Sequence, residues 1–358
     1  MNASVNFLSP SEAALRLGIS VKALRLYEER GLVSPGRTAA GWRAYGPDDL
    51  ARTAEIVALR ALGFSLAQVE GVLSGVADRL EPALAAHQSR LEGDLGQLGL
   101  KLDKVRGLRR ELARGEVPSA KDLAGLIQAA VEPMATFDLP WPWGGERFAV
   151  RDVRPINYIV GPLGSGKTRL AKMLAEHLPD TVFLGLERIE RQAAIARSAV
   201  EANAGLRERA EAALAWLLED GARESDALFA LVVGLEQDAS KILVIDIIEQ
   251  GLDEVTQQAV MAHLRKRGPG DRPVFIITRS SAILDLSATT PHEIAIFCPA
   301  NHSPPQTVRL QPGSPGYEAL ASCLGPPEIR ARTEGMIAWI PQRGSGEGNP
   351  EADPADVR

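Results

Sequence analysis

Only two cysteines, Cys298 and Cys323, occur among the 358 residues, one bridge at most, so the chain is no disulfide scaffold and suits a reducing cytosol. No apolar run approaches the roughly 18 residues of a membrane span, and the N-terminus lacks the basic-then-apolar order of a secretory signal. These absences predict a cytoplasmic protein that makes no membrane contact. A general excess of positive charge is missing too: the net charge is -6, so any contact with nucleic acid needs a local basic patch. The histidines, among them His177, His263, His292 and His302, show no metal-ligand spacing. What remains is an ordinary globular composition, 45% hydrophobic and 24% charged, long enough for two or three domains.

The strongest local pattern is Ile156-Asn-Tyr-Ile-Val-Gly161-Pro162-Leu-Gly164-Ser165-Gly166-Lys167-Thr168. A short apolar strand feeds a G-x-x-x-x-G-K-T loop, and Leu170, Leu174 and Leu178 then recur at helical spacing. Glycines let backbone N–H groups turn toward phosphate oxygens, Lys167 brings a point charge to the outer phosphates, and the Thr168 hydroxyl can coordinate Mg2+. A second apolar strand, 241–245, ends in Asp246, the carboxylate expected to hold Mg2+ through water opposite Thr168. The cofactors expected are therefore ATP and Mg2+.

At the other end, Ser9-Pro10-Ser11-Glu12 reads as a capping box with a first-turn proline, and Gly18 closes that helix. Ser20 caps a second helix, 21–30, and the tight 18–20 connection is a helix-turn-helix spacing. An alternating segment around Trp42-Arg43-Ala44-Tyr45 predicts a small hairpin, a wing. Pro47-Asp48-Asp49 starts a third helix, and Ser65-x-x-Gln68 caps a fourth. Residues 1–75 carry eight Lys or Arg against seven Asp or Glu, so a DNA footprint requires a one-sided arrangement, for which Arg16, Lys22, Arg25, Arg37 and Arg43 are the choice. Beyond this module Leu84, Leu91, Leu98, Val105 and Leu112 repeat every seven residues, the seam of a coiled coil. Leu139-Pro-Trp-Pro-Trp143 reads as a linker.

The order Gly18-Ile-Ser-Val-Lys-Ala-Leu-Arg-Leu-Tyr27-Glu-Glu-Arg-Gly-Leu32, followed by Gly41-Trp-Arg43-Ala-Tyr45 and Leu62-Gly-Phe-Ser-Leu66, resembles the MerR family of transcription regulators. The resemblance implies that Lys22, Ala23 and Arg25 lie on the groove-facing helix while Tyr27 and Arg43 approach phosphates. It also implies a homodimer through residues 80–112, double-stranded DNA at a palindromic promoter site, and RNA polymerase as a further partner. Metal-sensing relatives carry cysteines near the end of the long helix, and this chain has none there.

Residues from Phe148 through Thr168, with Ile245 to Asp253 and Ile277-Thr278-Arg279-Ser280, resemble ATP-binding-cassette ATPases, particularly RecF-like and SMC-like heads. That family usually puts a glutamate directly after the second-strand aspartate; Ile247 stands there and can neither accept a proton nor orient water. A histidine expected after the threonine is Arg279, and the signature loop falls near Gly221-Ala-Arg-Glu-Ser225 without its usual glycines. The resemblance therefore implies nucleotide binding with slow hydrolysis or none; Glu249 reads either as a substitute base or as a structural ion-pair residue, Arg279 either as an outer-phosphate contact or as a surface residue, and no catalytic residue is assigned.

The expected fold is multidomain: an α-rich winged helix-turn-helix over 1–76, a dimerisation coiled coil and linker helix over 78–135, an α/β P-loop domain with a parallel sheet over 137–340, and a disordered tail over 342–358.

Overall fold

The computed structural model describes residues 7–38, 40–76, 80–114, 133–186, 192–237, 242–267 and 271–324. The tail expected from 342 lies outside them, as do residues 115–132 of the expected linker helix.

In the N-terminal module the capping residues act as their spacing predicts. Helix α1 (Pro10–Leu17) begins at Ser9, whose side chain accepts from the Glu12 amide while the Glu12 carboxylate accepts from the Ser9 amide at 2.8 Å. Helix α2 (Val21–Glu29) begins at Ser20, which accepts from the Ala23 amide at 3.0 Å. Strands β1 (Gly36–Arg37) and β2 (Arg43–Ala44) pair antiparallel, and helices α3 (Pro47–Ala61) and α4 (Leu66–Leu73) complete the module. Leu24, Tyr45, Ile56, Phe64 and Val69 form its core, each side chain contributing on the order of 1.5–3 kcal/mol of burial.

Helix α5 (Leu80–Ala113) runs 34 residues without a break, about 50 Å at 1.5 Å per residue. The seam residues Leu84, Leu91, Leu98 and Leu112 are exposed, between 48% and 63%.

The rest is an α/β domain. A hairpin of β3 (Ala135–Asp138) and β4 (Arg147–Val150) precedes β5 (Ile156–Val160), helix α6 (Lys167–His177) and β6 (Thr181–Leu184). Helices α7 (Gln192–Ala202), α8 (Ala204–Glu219) and α9 (Asp226–Glu236) lead to β7 (Ile242–Ile245), α10 (Glu254–Leu264), β8 (Val274–Ile277), β9 (Glu293–Phe297), β10 (Gln306–Val308) and α11 (Tyr317–Leu324). The sheet order is β10-β9-β5-β8-β7-β6. Strands β5, β7, β8 and β9 are buried on both sides, and the two-residue period divides each between two cores. Tyr158, Leu243, Ile245 and Ile276 face α8, α9 and α10, whereas Ile159, Val244, Phe275 and Ile277 face α6 and the β3–β4 hairpin.

Two expectations are corrected. The sheet is mixed, because β10 returns antiparallel beside β9. The proline and tryptophan segment is the turn of the β3–β4 hairpin, with Leu139 and Trp143 buried in the domain core, because an indole packed under α6 removes more apolar area from water than a solvated linker would.

Candidate nucleotide site and nucleic-acid interface

Strand β5 lies between β9 and β8, parallel to both, and delivers its loop to the carboxyl edge of the sheet where α6 begins. That edge, combined with a helix N-terminus, is a place for an anion. Gly161 presses against the Cys298 carbonyl so closely that no Cβ fits. Gly166 adopts φ +89°, and a Cβ there would meet Cζ2 and Cη2 of Trp143 at 2.6 Å.

Lys167 is 9% exposed, and its Nζ donates to the carbonyls of Gly161 at 2.8 Å and Pro162 at 2.6 Å. Burial holds its pKa below the ordinary lysine value, with the Arg279 charge acting in the same direction and the nearby Cys298 thiol against both. The Cys298 thiol is itself pushed up to about 12 by burial. Ser165 Oγ is buried without a hydrogen-bond partner, an uncommon state for a hydroxyl. A phosphate oxygen placed here would satisfy it and would offer Lys167 an acceptor in place of the loop carbonyls. Thr168 Oγ1 donates to Asp246 Oδ1 at 3.4 Å, a long bond between two hard oxygen donors that a hydrated Mg2+ can bridge. Among the described residues no group of three or more His, Cys, Asp or Glu forms a metal cage. Gly161, Pro162, Gly164, Ser165, Gly166, Lys167 and Thr168 thus follow β5 at the carboxyl edge of the sheet, where Thr168 meets Asp246.

Next to Asp246, Ile247 takes φ +45°, a left-handed conformation that a β-branched residue adopts only under constraint. Its side chain packs against the core under α6. Glu249 accepts from the Arg279 amide at 2.9 Å through Oε1, while Oε2 is buried with no partner. Two neighbours of the loop escaped sequence reasoning. His302 Nε2 lies 3.1 Å from the Gly164 carbonyl, and the Trp141 ring, 77% exposed, sits under the Arg169 guanidinium at 5.7 Å. His302 is 138 residues from its contact, so no spacing announces it.

In the N-terminal module Arg16 and Arg25 are exposed to solvent. Arg43 and Arg37 both pair with Glu28, at 2.5 and 3.9 Å. Lys22 donates to Glu254 at 3.1 Å and to Ser281 at 3.2 Å, both in the α/β domain. Ala23 is half-buried against the module's own core, and Tyr27 is 6% exposed beside Arg60. Arg16, Arg25, Arg37 and Arg43 therefore remain at the surface, while Tyr27 does not.

The described chain thus combines a helix-turn-helix module, a long helix and an α/β domain with a phosphate-loop pattern. Residues 8–76 match the MerR HTH family regulatory protein profile. The chain is 37% identical over 123 residues to an uncharacterised HTH-type transcriptional regulator of Pseudomonas aeruginosa, covering 32% of this chain and 93% of that one. It belongs to the MerR HTH family. It is also 30% identical over 122 residues to the nodulation protein NolA of Bradyrhizobium elkanii, covering 33% of this chain and 55% of NolA. The chain spans about half the length of the NolA relatives it matches. Among solved structures it is similar to the MerR family regulator HiNmlR bound to promoter DNA, with 26% identity, 31% of this chain and 92% of the other covered, and a TM-score of 0.23. It is similar as well to the ATP-binding cassette of an ABC transporter in its ADP conformation, with 13% identity, coverages of 57% and 97%, and a TM-score of 0.36. No described helix is long and apolar enough to cross a membrane.

Proposed function

We propose that the chain is a sequence-specific transcription regulator of MerR type whose P-loop domain binds ATP with Mg2+ as an effector, with weak hydrolysis or none. The observation that carries this is the pairing of an orphaned Ser165 hydroxyl with a Lys167 ammonium turned back on its own loop, in a chain that also holds a helix-turn-helix module. Thr168 and Asp246 hold the metal ion in this reading, and Lys167 neutralises the outer phosphates. Ile247 supplies no base beside Asp246, and one Glu249 oxygen is committed to the Arg279 amide, which supports slow turnover.

In the same reading α2 enters the major groove, the β1–β2 hairpin is a wing bringing Arg37 and Arg43 to phosphates, and Arg16 and Arg25 extend the footprint. The exposed seam of α5 pairs with a second copy, giving a homodimer on a palindromic promoter, with RNA polymerase as the partner on that DNA and the cytoplasm as the location. The domains follow as 1–76, 78–135, 137–340 and a tail at 342–358.

The test is a footprint on the DNA upstream of the chain's own gene at several ATP concentrations with Mg2+. ATP should change the protection given by the parent and not that given by Lys167→Ala. Identical footprints for both at every ATP concentration would remove ATP from the function. The unpartnered Glu249 Oε2 favours one second reading, a DNA-directed ATPase recruited by its N-terminal module. DNA-stimulated turnover abolished by Asp246→Asn would select it.

A further inference from the structure

The N-terminal module and the α/β domain share a polar dock. Asp220, just past the end of α8, is 2% exposed and pairs through both carboxylate oxygens with Arg60 of α3. Its Oδ1 also accepts from the Leu66 amide at 2.9 Å, the first N–H of α4. Glu219 Oε2 accepts from Ser65 Oγ at 3.1 Å and from Gln68 Nε2 at 3.0 Å. The N-terminus of α4 thus finds its anions in the other domain. The Arg30 guanidinium lies against Gly221, where any side chain would stand.

The same dock takes hold of α2. Lys22, in its first turn, reaches Glu254 at the start of α10 and Ser281 beyond β8. Tyr27 on the same helix is buried where Arg60 and Asp220 meet. A DNA phosphate cannot take Lys22 while Glu254 holds it, because the two anions compete for one ammonium.

Both acceptors connect to the phosphate loop. Strand β8 pairs with β5, which feeds the loop, and the Thr278 amide donates to the Ile159 carbonyl at 3.4 Å, so residues 279–281 leave the sheet beside the loop, where the Arg279 charge acts on Lys167. Two residues later Ser281 touches Lys22. Ser280 Oγ donates to Gln257 Oε1 at 2.6 Å, joining this segment to the helix that carries Glu254. Phosphates entering the loop add negative charge at Lys167 and attract Arg279.

We propose that the α/β domain latches the DNA-reading helix through Lys22, and that nucleotide at the phosphate loop draws residues 279–281 away and frees it. The proposal deepens the ATP-effector reading and rests on it for the release step alone. The side chains of Lys22 and Glu254 are 41% and 62% exposed, so the bond is weak and reversible, as a latch requires.

The test removes the two surface acceptors with Glu254→Gln and Ser281→Ala together, leaving the buried Arg60–Asp220 pair to keep the fold. Glu224→Gln, an exposed carboxylate outside the dock, controls for the lost charge. Affinity for the chain's own upstream duplex is measured at one salt concentration, with and without ATP and Mg2+, beside amide exchange of residues 20–30. Without nucleotide the double variant should exchange faster there and bind duplex about fivefold tighter than parent and control. ATP should tighten the parent and add little to the variant. Equal duplex affinity of variant and control without nucleotide overturns the latch, whatever ATP does to the parent. A tighter variant beside a parent that ignores ATP upholds the latch and overturns the effector reading. If no form binds duplex, there is no reader to hold and the latch falls.

Discussion

Replacing Gly166 with alanine tests whether Trp143 braces the phosphate loop from below. At φ +89° an alanine pays about 1–2 kcal/mol for the left-handed backbone. Its Cβ would also lie 2.6 Å from two atoms of a ring that is 3% exposed and enclosed by core, and overpacking of that kind costs a further ~1–3 kcal/mol. The sum is about 2–5 kcal/mol. Gly164 separates the two contributions, since it takes φ +80° with nothing within 4 Å of the added carbon. Gly164→Ala should therefore lose only about 1–2 kcal/mol. Urea unfolding of both variants, followed by circular dichroism, reads the difference as the Trp143 contact. Adding Trp143→Phe to Gly166→Ala should recover part of the loss, a non-additivity expected only of touching residues. Equal destabilisation of the two glycine variants, or strict additivity with Trp143→Phe, would refute a load-sharing contact between hairpin and loop.

Burial, with the charges of Lys266 and Arg267, lowers the His263 pKa from 6.5 to about 3. The folded chain thus takes up its proton later than the unfolded one, and the stability it contributes is whole above pH 6.5 and lost as pH falls toward 3, at about 1.4 kcal/mol per unit. Urea unfolding at about pH 7.5 and about pH 5 should show the parent losing roughly 2 kcal/mol more than His263→Phe, and equal losses would exclude a buried neutral ring. Leu91→Asp with Leu98→Asp places charge in the exposed α5 seam and should turn a sedimenting dimer into a monomer; an unchanged dimer would move the self-association elsewhere.

What the sequence displayed was whatever depends on neighbours along the chain. Ser9 with Glu12, Ser20, and Ser65 with Gln68 cap the helices their spacing announced, and the glycine-rich loop joins a strand to a helix in the way its pattern required. The seven-residue leucine repeat became one continuous helix. Strand β6 passed unseen because Thr181–Leu184 is a short edge strand with an exposed Val182, which lacks both the alternation and the apolar run that mark strands. Trp143 reads as part of a linker because prolines on a surface loop and prolines in a hairpin turn look alike until the core they flank is known. Asp220 finds its partners Arg60 and Leu66 more than 150 residues away, beyond the reach of any local spacing. No periodicity encodes a contact between domains.

Helix α4 begins on a serine of its own module and ends its first amide on an aspartate of the other. A helix-turn-helix unit borrowed from elsewhere would arrive without that aspartate, and one transplanted from this chain would leave it behind. A substitution at Asp220 therefore removes a partner from the N-terminal module, and one at Ser65 or Arg60 removes a partner beside the sheet. Their shared helix end ties the stability of each half to the other.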